Sequence, residues 1–359
     1  MNKDELVQRI KRGEIISNAY LAEMDLAGAD LSGGIFEHVV FRGANLAGAS
    51  FKESTLTECD LAGAEMTGAE LRHTVLHRCD LSRAMLRDAR MTAAKLVEVD
   101  LSGACLGGAD LIIAALLNTD LTGADLSHTN LDRTSILDAC TADLDLRSAN
   151  AKQTVLLKAD LTTAKLTGAR FDTAALMGCS LKGMDLRGMT FTLTQLTGSD
   201  LSGCDLSEAT LTQCNFKDSD LTGAKLTGAE AGNALFLGAK LGRANLARAN
   251  LHQCLFDGAS LIGADASGAS LHQSRFVGAL CAGARFNGAD LTYADFSHAD
   301  VSGADFSLAT LFRARFHRVK DEGTTWGNRA LALGDDEMLL RGESWKPKLR
   351  PSAAGRKTT

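Results

Sequence analysis

The chain has 359 residues, a net charge of −6, 5% aromatic residues and two prolines. Its acids and bases are dispersed, which argues against nucleic acid as a partner, because a basic stripe would be needed. Its longest apolar run, Leu111 to Leu117, falls far short of the ~20 residues that cross a bilayer, so no membrane span is expected.

The first predicted element is a helix. Asn2, Lys3, Asp4 and Glu5 have the spacing of a capping box, Leu6, Val7 and Ile10 share one helical face, and Gly13 supplies a stop. Residues 1–13 are therefore read as a cap over the open end of the repeat that follows. A membrane-surface or targeting helix is the alternative; the short length and mixed charges argue against it. Lys3, Asp4 and Glu5 stand where the apolar core of a leader would begin, so the expected location is cytoplasmic, with export by a non-cleaved route the other reading.

From Leu21 to Phe316 every fifth residue falls on one register of sixty centres, without insertion or deletion. Fifty-five centres are Leu, Met, Phe, Ile or Val, and in fifty-four cases the residue two places earlier is Ala, Gly, Ser, Thr or Cys. A period of five is neither helical nor strand-like, so the repeat defines its own architecture. Phe216, Phe236, Phe256, Phe276, Phe296 and Phe316 recur every twenty residues, as do Asp60, Asp80, Asp100 and Asp120. Stacking of like residues at that spacing makes twenty residues one turn. Sixty pentapeptides then give fifteen coils, about 70 Å of rod at roughly 4.8 Å per coil. Six of the nine cysteines (Cys59, Cys79, Cys179, Cys204, Cys214 and Cys254) occupy the small site and Cys281 a centre, where cysteine is an apolar filler. Their odd number and lack of paired spacing point to a reducing compartment.

The pattern, as in Ala29-Asp30-Leu31-Ser32-Gly33 and Ala124-Asp125-Leu126-Ser127-His128, resembles that of the pentapeptide repeat family, whose unit is Ala-(Asp/Asn)-Leu-X-X. The resemblance implies an all-β solenoid, a right-handed quadrilateral β-helix of about fifteen coils with short helical caps, here over residues 14–318. Each pentapeptide forms one side. The centre and the small residue point inward and the other three outward.

The coils are not uniform. Thr141 is a poor centre, Leu144 is large for its small site and Ala151 is an undersized centre, which marks this stretch as loosely packed; a smaller irregularity surrounds Ala231. After Phe316 the register is expected to end. Residues 319–345 are read as a C-terminal cap, with a short helix over Asp335–Arg341 and with Trp326 and Trp345 covering the final coil. Residues 346–359, basic and proline-containing, are expected to be a disordered tail.

One side of the coil differs from the others. Just after its centres stand Val97, Leu117, Leu137, Leu157 and Met177 in successive coils, then Leu237 and Val277. The other outward position of that side adds Ile35, Val75, Val155, Leu235 and Leu255. All twelve should face water, where alternation would normally keep a strand polar. A ladder of exposed apolar residues reads as a binding stripe, for self-association or for another protein. The competing reading is that bulky and β-branched residues favour flat extended sides whichever way they point.

No catalytic constellation is apparent, and no cofactor or metal is expected. The recurring Asp residues come with the repeat, and the glycines form no phosphate loop between a strand and a helix. His252 and His272 should stack, but no third ligand faces them. The functional reading is a non-enzymatic protein–protein interaction rod or scaffold. Its arrangement resembles pentapeptide proteins encoded beside bacterial type VI secretion components, which implies an accessory or adaptor role. A second reading comes from the similar repeats of quinolone-resistance proteins and implies a DNA mimic that protects DNA gyrase. The greater length, the interleaved Lys and Arg, the apolar side and the missing interrupting loops weigh against it. A secreted effector is the third.

Overall fold

The computed structural model describes residues 1–345; the expected tail lies outside the described residues. Helix α1 (Lys3–Lys11) forms as its sequence dictates. The Asn2 side chain accepts the Glu5 amide at 2.9 Å, acids fill the first turn and bases the last, and Leu6 and Ile10 are buried against the first coil.

The chain then winds as a parallel solenoid. Strands β1 (Ile16–Ser17), β2 (Ile35–Glu37), β3 (Thr55–Thr57), β4 (Val75–His77), β5 (Lys95–Val97), β6 (Ala115–Leu117), β7 (Ser135–Leu137), β8 (Val155–Leu157) and β9 (Ala175–Met177) form one nine-stranded sheet in sequence order. Each partner lies twenty residues from the last, as in Phe36↔Leu56↔Leu76. Within one turn, parallel bridges fall at Val40, Asn45 and Ser50 before β3, so each turn has four sides.

The pentapeptide explains each side. The centre and the small residue are buried, as at Leu61 and Ala64. The Leu61 amide donates to the Asp80 carbonyl of the next coil at 2.7 Å, and the Gly63 amide to that of Ser82 at 2.9 Å. The Ala64 amide closes the corner on the Leu61 carbonyl at 3.0 Å. That corner puts the residue two after the centre at positive φ, +61° at Gly63, which is why glycine recurs there. The Asp or Asn before the centre secures the same corner through its side chain. Asp60 accepts the Ala62 amide at 3.0 Å and Asp80 the Ser82 amide at 2.9 Å.

Two kinds of core fill the rod. Leucines such as Leu56, Leu76, Leu96 and Leu116 line the inside of the sheet, and further on the same line becomes a phenylalanine column. From Phe216 to Phe316 successive rings stack at 4.9, 4.8, 4.7, 4.4 and 5.1 Å. A second column, Phe286, Phe306 and Trp326, stacks at 4.9 and 5.0 Å and meets the first edge-on. Beyond Met177 the strand side tightens into turns like the other three sides. At Asn215 and Asp295 a side-chain cap on Lys217 and Ser297 closes the turn.

The structure corrects the expected C-terminus. Pairing does not stop at Phe316: β10 (Asp305–Phe306) pairs with β11 (Thr325–Trp326), so Trp326 continues the register. From β1 to β11 the solenoid makes about sixteen turns. Trp326 and Arg329, whose guanidinium lies 4.7 Å from the Phe316 ring centroid and 4.9 Å from that of Trp326, cover the last rings. Helix α2 (Glu337–Ser344) buries none of its own residues, and Trp345 is 72% exposed. Trp326 and Arg329 already cover the final rings of the two columns, which leaves no open ring there for Trp345 to stack on.

The expected irregularity is present and extends further along the chain than its sequence signal. Thr141 is buried as a centre, but its hydroxyl rather than its amide reaches the Asp160 carbonyl, at 2.7 Å. The Asp143 amide bonds Thr163 Oγ1 instead of a backbone carbonyl. Two coils later Met184 and Met189 occupy two consecutive small sites. There the amides of Leu166, Gly168 and Asp185 make none of the inter-coil bonds that their equivalents make elsewhere. A groove of about 670 Å³, lined by Gly168, Arg170, Asp185, Arg187 and Met189 among others, opens between these coils. Two thioethers in sites built for methyl groups wedge the turns apart.

Candidate interaction surface

The strand side carries the apolar ladder in the predicted alignment. Val97, Leu117, Leu137, Leu157 and Met177 are direct Cα partners in five successive coils. Val155 also lies on this sheet, with Val75 and Ile35 further toward the N-terminus. Leu235, Leu237, Leu255 and Val277 continue the same side beyond it, where it is turned rather than extended. None of the twelve is buried. Most are half-exposed because each leans on the next, and Ile35 and Met177 are the most open, at 42% and 40%. The ladder thus stabilises its own sheet through cross-strand pairs while leaving one apolar edge in water.

A second apolar patch, without a periodic signal, lies near the C-terminus. Tyr293 and Phe312 meet edge-on at 5.8 Å, with Leu331 and Leu333 also exposed. Leu333 pairs with Arg315 at a spacing of eighteen rather than twenty, so the five-residue register could not reveal it.

The acid ladder is interrupted, and its acids are engaged locally. The line also holds Asp160, Asp200, Asp220 and Asp300 and is interrupted at Cys140, Ser180, Lys240, Ser260 and Leu280, while its first four acids, Asp60, Asp80, Asp100 and Asp120, do stack. Each of those four acids caps a local amide, and Arg42 pairs with Asp60 at 2.8 Å. Acid on a neighbouring side is likewise occupied: the Arg187 guanidinium beside Asp185 holds that carboxyl down at about 2. Four of the inward cysteines are held as thiols by burial. Burial pushes the Cys179 and Cys204 thiols up to about 11 and those of Cys214 and Cys254 to about 12.

Two histidine clusters are present. His252 and His272 stack at 5.3 Å, as expected, with Asn250 Oδ1 at 2.7 Å from His252 Nδ1. The other escaped the sequence: His298 and His317 meet Glu343 of α2, at 3.1 and 3.4 Å from its Oε1. Glu343 lies outside the repeat, so only the docking of α2 brings the three together. Hydrogen bonding from Arg318, at 2.8 Å, holds the Glu343 carboxyl below the usual range.

A four-sided parallel solenoid with twenty-residue turns and capped ends defines a class of repeat protein. The family model for pentapeptide repeats matches in stretches running from residues 15–51 to 289–320, and the chain belongs to that family. Among solved structures it is similar to QnrB1, a plasmid-mediated fluoroquinolone resistance protein, at 19% identity over 60% of this chain and 90% of that one, with a TM-score of 0.35. It is also similar to HetL, involved in heterocyst differentiation regulation in Nostoc sp. strain PCC 7120, at 28% identity over 85% and 96%, with a TM-score of 0.20. A thylakoid-lumen pentapeptide repeat protein of Arabidopsis thaliana shares 30% identity over 35% and 70%, with a TM-score of 0.12. No curated protein matches. At these TM-scores the neighbours carry no argument about function. Among the described residues no helix is long and apolar enough to cross a membrane.

Proposed function

We propose that this chain is a non-enzymatic interaction scaffold whose strand side binds another protein surface through the stripe from Val97 to Met177. The observation that carries this reading is the direct alignment of five apolar residues on one continuous sheet face. Docking would remove their remaining exposed surface from water, at ~25 cal/mol per Å². The partner is either a second copy or a different protein, in keeping with a rod that presents an extended face.

The test is the double variant Leu137→Asp with Leu157→Asp. Both side chains point outward, so the far-UV spectrum and thermal midpoint should stay near those of the parent. The mass by light scattering, or the set of proteins retained in a pull-down, should fall. An unchanged mass together with a full set of retained partners refutes the stripe.

DNA mimicry of the kind that would act on gyrase calls for an unbroken acid face, and here Lys240 and Leu280 interrupt the acid line while Arg42 pairs with it. We therefore favour the scaffold. Protection of gyrase supercoiling against a fluoroquinolone would reverse that choice. An accessory role in type VI secretion, or delivery as an effector, rests on family analogy alone.

A further inference from the structure

We propose that His298, His317 and Glu343 form a divalent transition-metal site, zinc foremost, which clips α2 to the last coils of the rod. Two imidazole nitrogens and a carboxylate oxygen are a common zinc donor set, leaving a fourth position for water. The three ligand atoms lie within 4.8 Å of one another. Bonds of 2.0–2.2 Å at tetrahedral angles put neighbouring ligand atoms about 3.3–3.6 Å apart. His298 Nε2 and His317 Nε2 stand 3.1 and 3.4 Å from Glu343 Oε1. The two rings meet edge-on at 5.5 Å, and His298 is exposed enough to swing inward.

The second observation is the state of His317. Its side chain is 1% exposed, yet its Nε2 makes no well-aligned hydrogen bond, with Glu343 Oε1 3.4 Å away. A buried polar atom without a partner is costly, and a ligand aimed at it removes that cost. His317 Nδ1 accepts the Asp336 amide at 3.1 Å, which puts the ring proton on Nε2. Coordination at Nε2 therefore requires the proton to leave that nitrogen and Nδ1 to carry one. Asp335 Oδ1, 3.6 Å from Nδ1, is placed to accept it, in the carboxylate–histidine–metal arrangement that orients metal-bound imidazoles. Asp336 is the N-cap of α2, so its amide can turn to water with a small shift of the helix start. Arg318 holds Glu343 Oε2 at 2.8 Å and leaves Oε1 for the metal.

The test uses the full-length, tag-free chain titrated with cobalt(II) and zinc(II). A visible d–d band without a sulfur-to-cobalt charge-transfer band, displaced by one equivalent of zinc, is expected. His298→Ala and Glu343→Gln, both at exposed side chains, should each abolish the band, and His252→Ala should keep it. In 15N-labelled protein, zinc should move the His317 ring proton from Nε2 to Nδ1. Absence of the band in the parent chain, its retention in either ligand variant, its loss in His252→Ala, or a His317 ring that keeps its Nε2 proton in the presence of zinc overturns the proposal.

Discussion

Phe276 and Phe296 stack face to face, ring centroids 4.4 Å apart and planes within 2° of parallel, the closest pair in a column of six. Each ring is also met edge-on by Phe286, at 5.9 and 5.6 Å, so the column is filled from two sides. Phe276→Ala should destabilise the rod by about 3–5 kcal/mol, whereas Phe276→Leu, which keeps most of the volume, should cost clearly less. Because each coil contacts only its neighbours, the loss should appear in denaturant unfolding as an early transition of the C-terminal half. A single unshifted transition in Phe276→Ala would contradict this.

Acid should weaken the rod within a defined window. Arg187 holds Asp185 at about 2, and hydrogen bonds from the residue two places on lower Asp30, Asp160, Asp300 and Asp305. A carboxyl depressed in the folded state contributes its stability above the unfolded value, ~3.9, and loses it as pH falls through the folded value. The thermal midpoint should therefore stay level from neutrality to about pH 5 and decline below about pH 4. Carboxyl titration by NMR should show Asp185 moving back upward in Arg187→Gln.

The wedge made by Met184 and Met189 predicts local exchange. Amides of Leu166, Gly168 and Asp185, without inter-coil partners, should exchange hydrogen far faster than Leu146 or Asp205, which are bonded to the next and the previous coil at 2.8 and 2.9 Å. Met184→Ala with Met189→Ala returns both small sites to the family pattern. It should slow exchange at those amides and cost less than Leu186→Ala, which empties a fully buried centre by about 2–5 kcal/mol.

Gly232 lies under the His252 ring, and a Cβ there would collide with Cε1. Gly232→Ala should push the ring off His272 and break its contact with Asn250. The obstacle is the tip of a side chain rather than backbone, so the stability change should stay within about 1 kcal/mol. The His252 and His272 ring resonances should shift in the proton spectrum. A large fall in thermal midpoint would show that Gly232 does more than make room.

The five-residue period, the twenty-residue turn, the inward and outward assignment and the position of the stripe were all legible in the sequence. In a solenoid each coil repeats the last, so a residue's place in the register fixes which way it points. The same logic located the weak corner at Thr141, since a polar centre and a large Leu144 break a rule that holds nearly everywhere else. Two consecutive methionines in small sites broke the rule as plainly at Met184 and Met189, and their effect depends on how far neighbouring turns can yield. The tertiary structure alone decided what happens where periodicity fails. Trp326 extends the register by stacking on Phe306, Trp345 stays in water, and α2 carries Glu343 onto His298 and His317. Those contacts join segments of different periodicity, and their geometry follows from how the chain packs at its end.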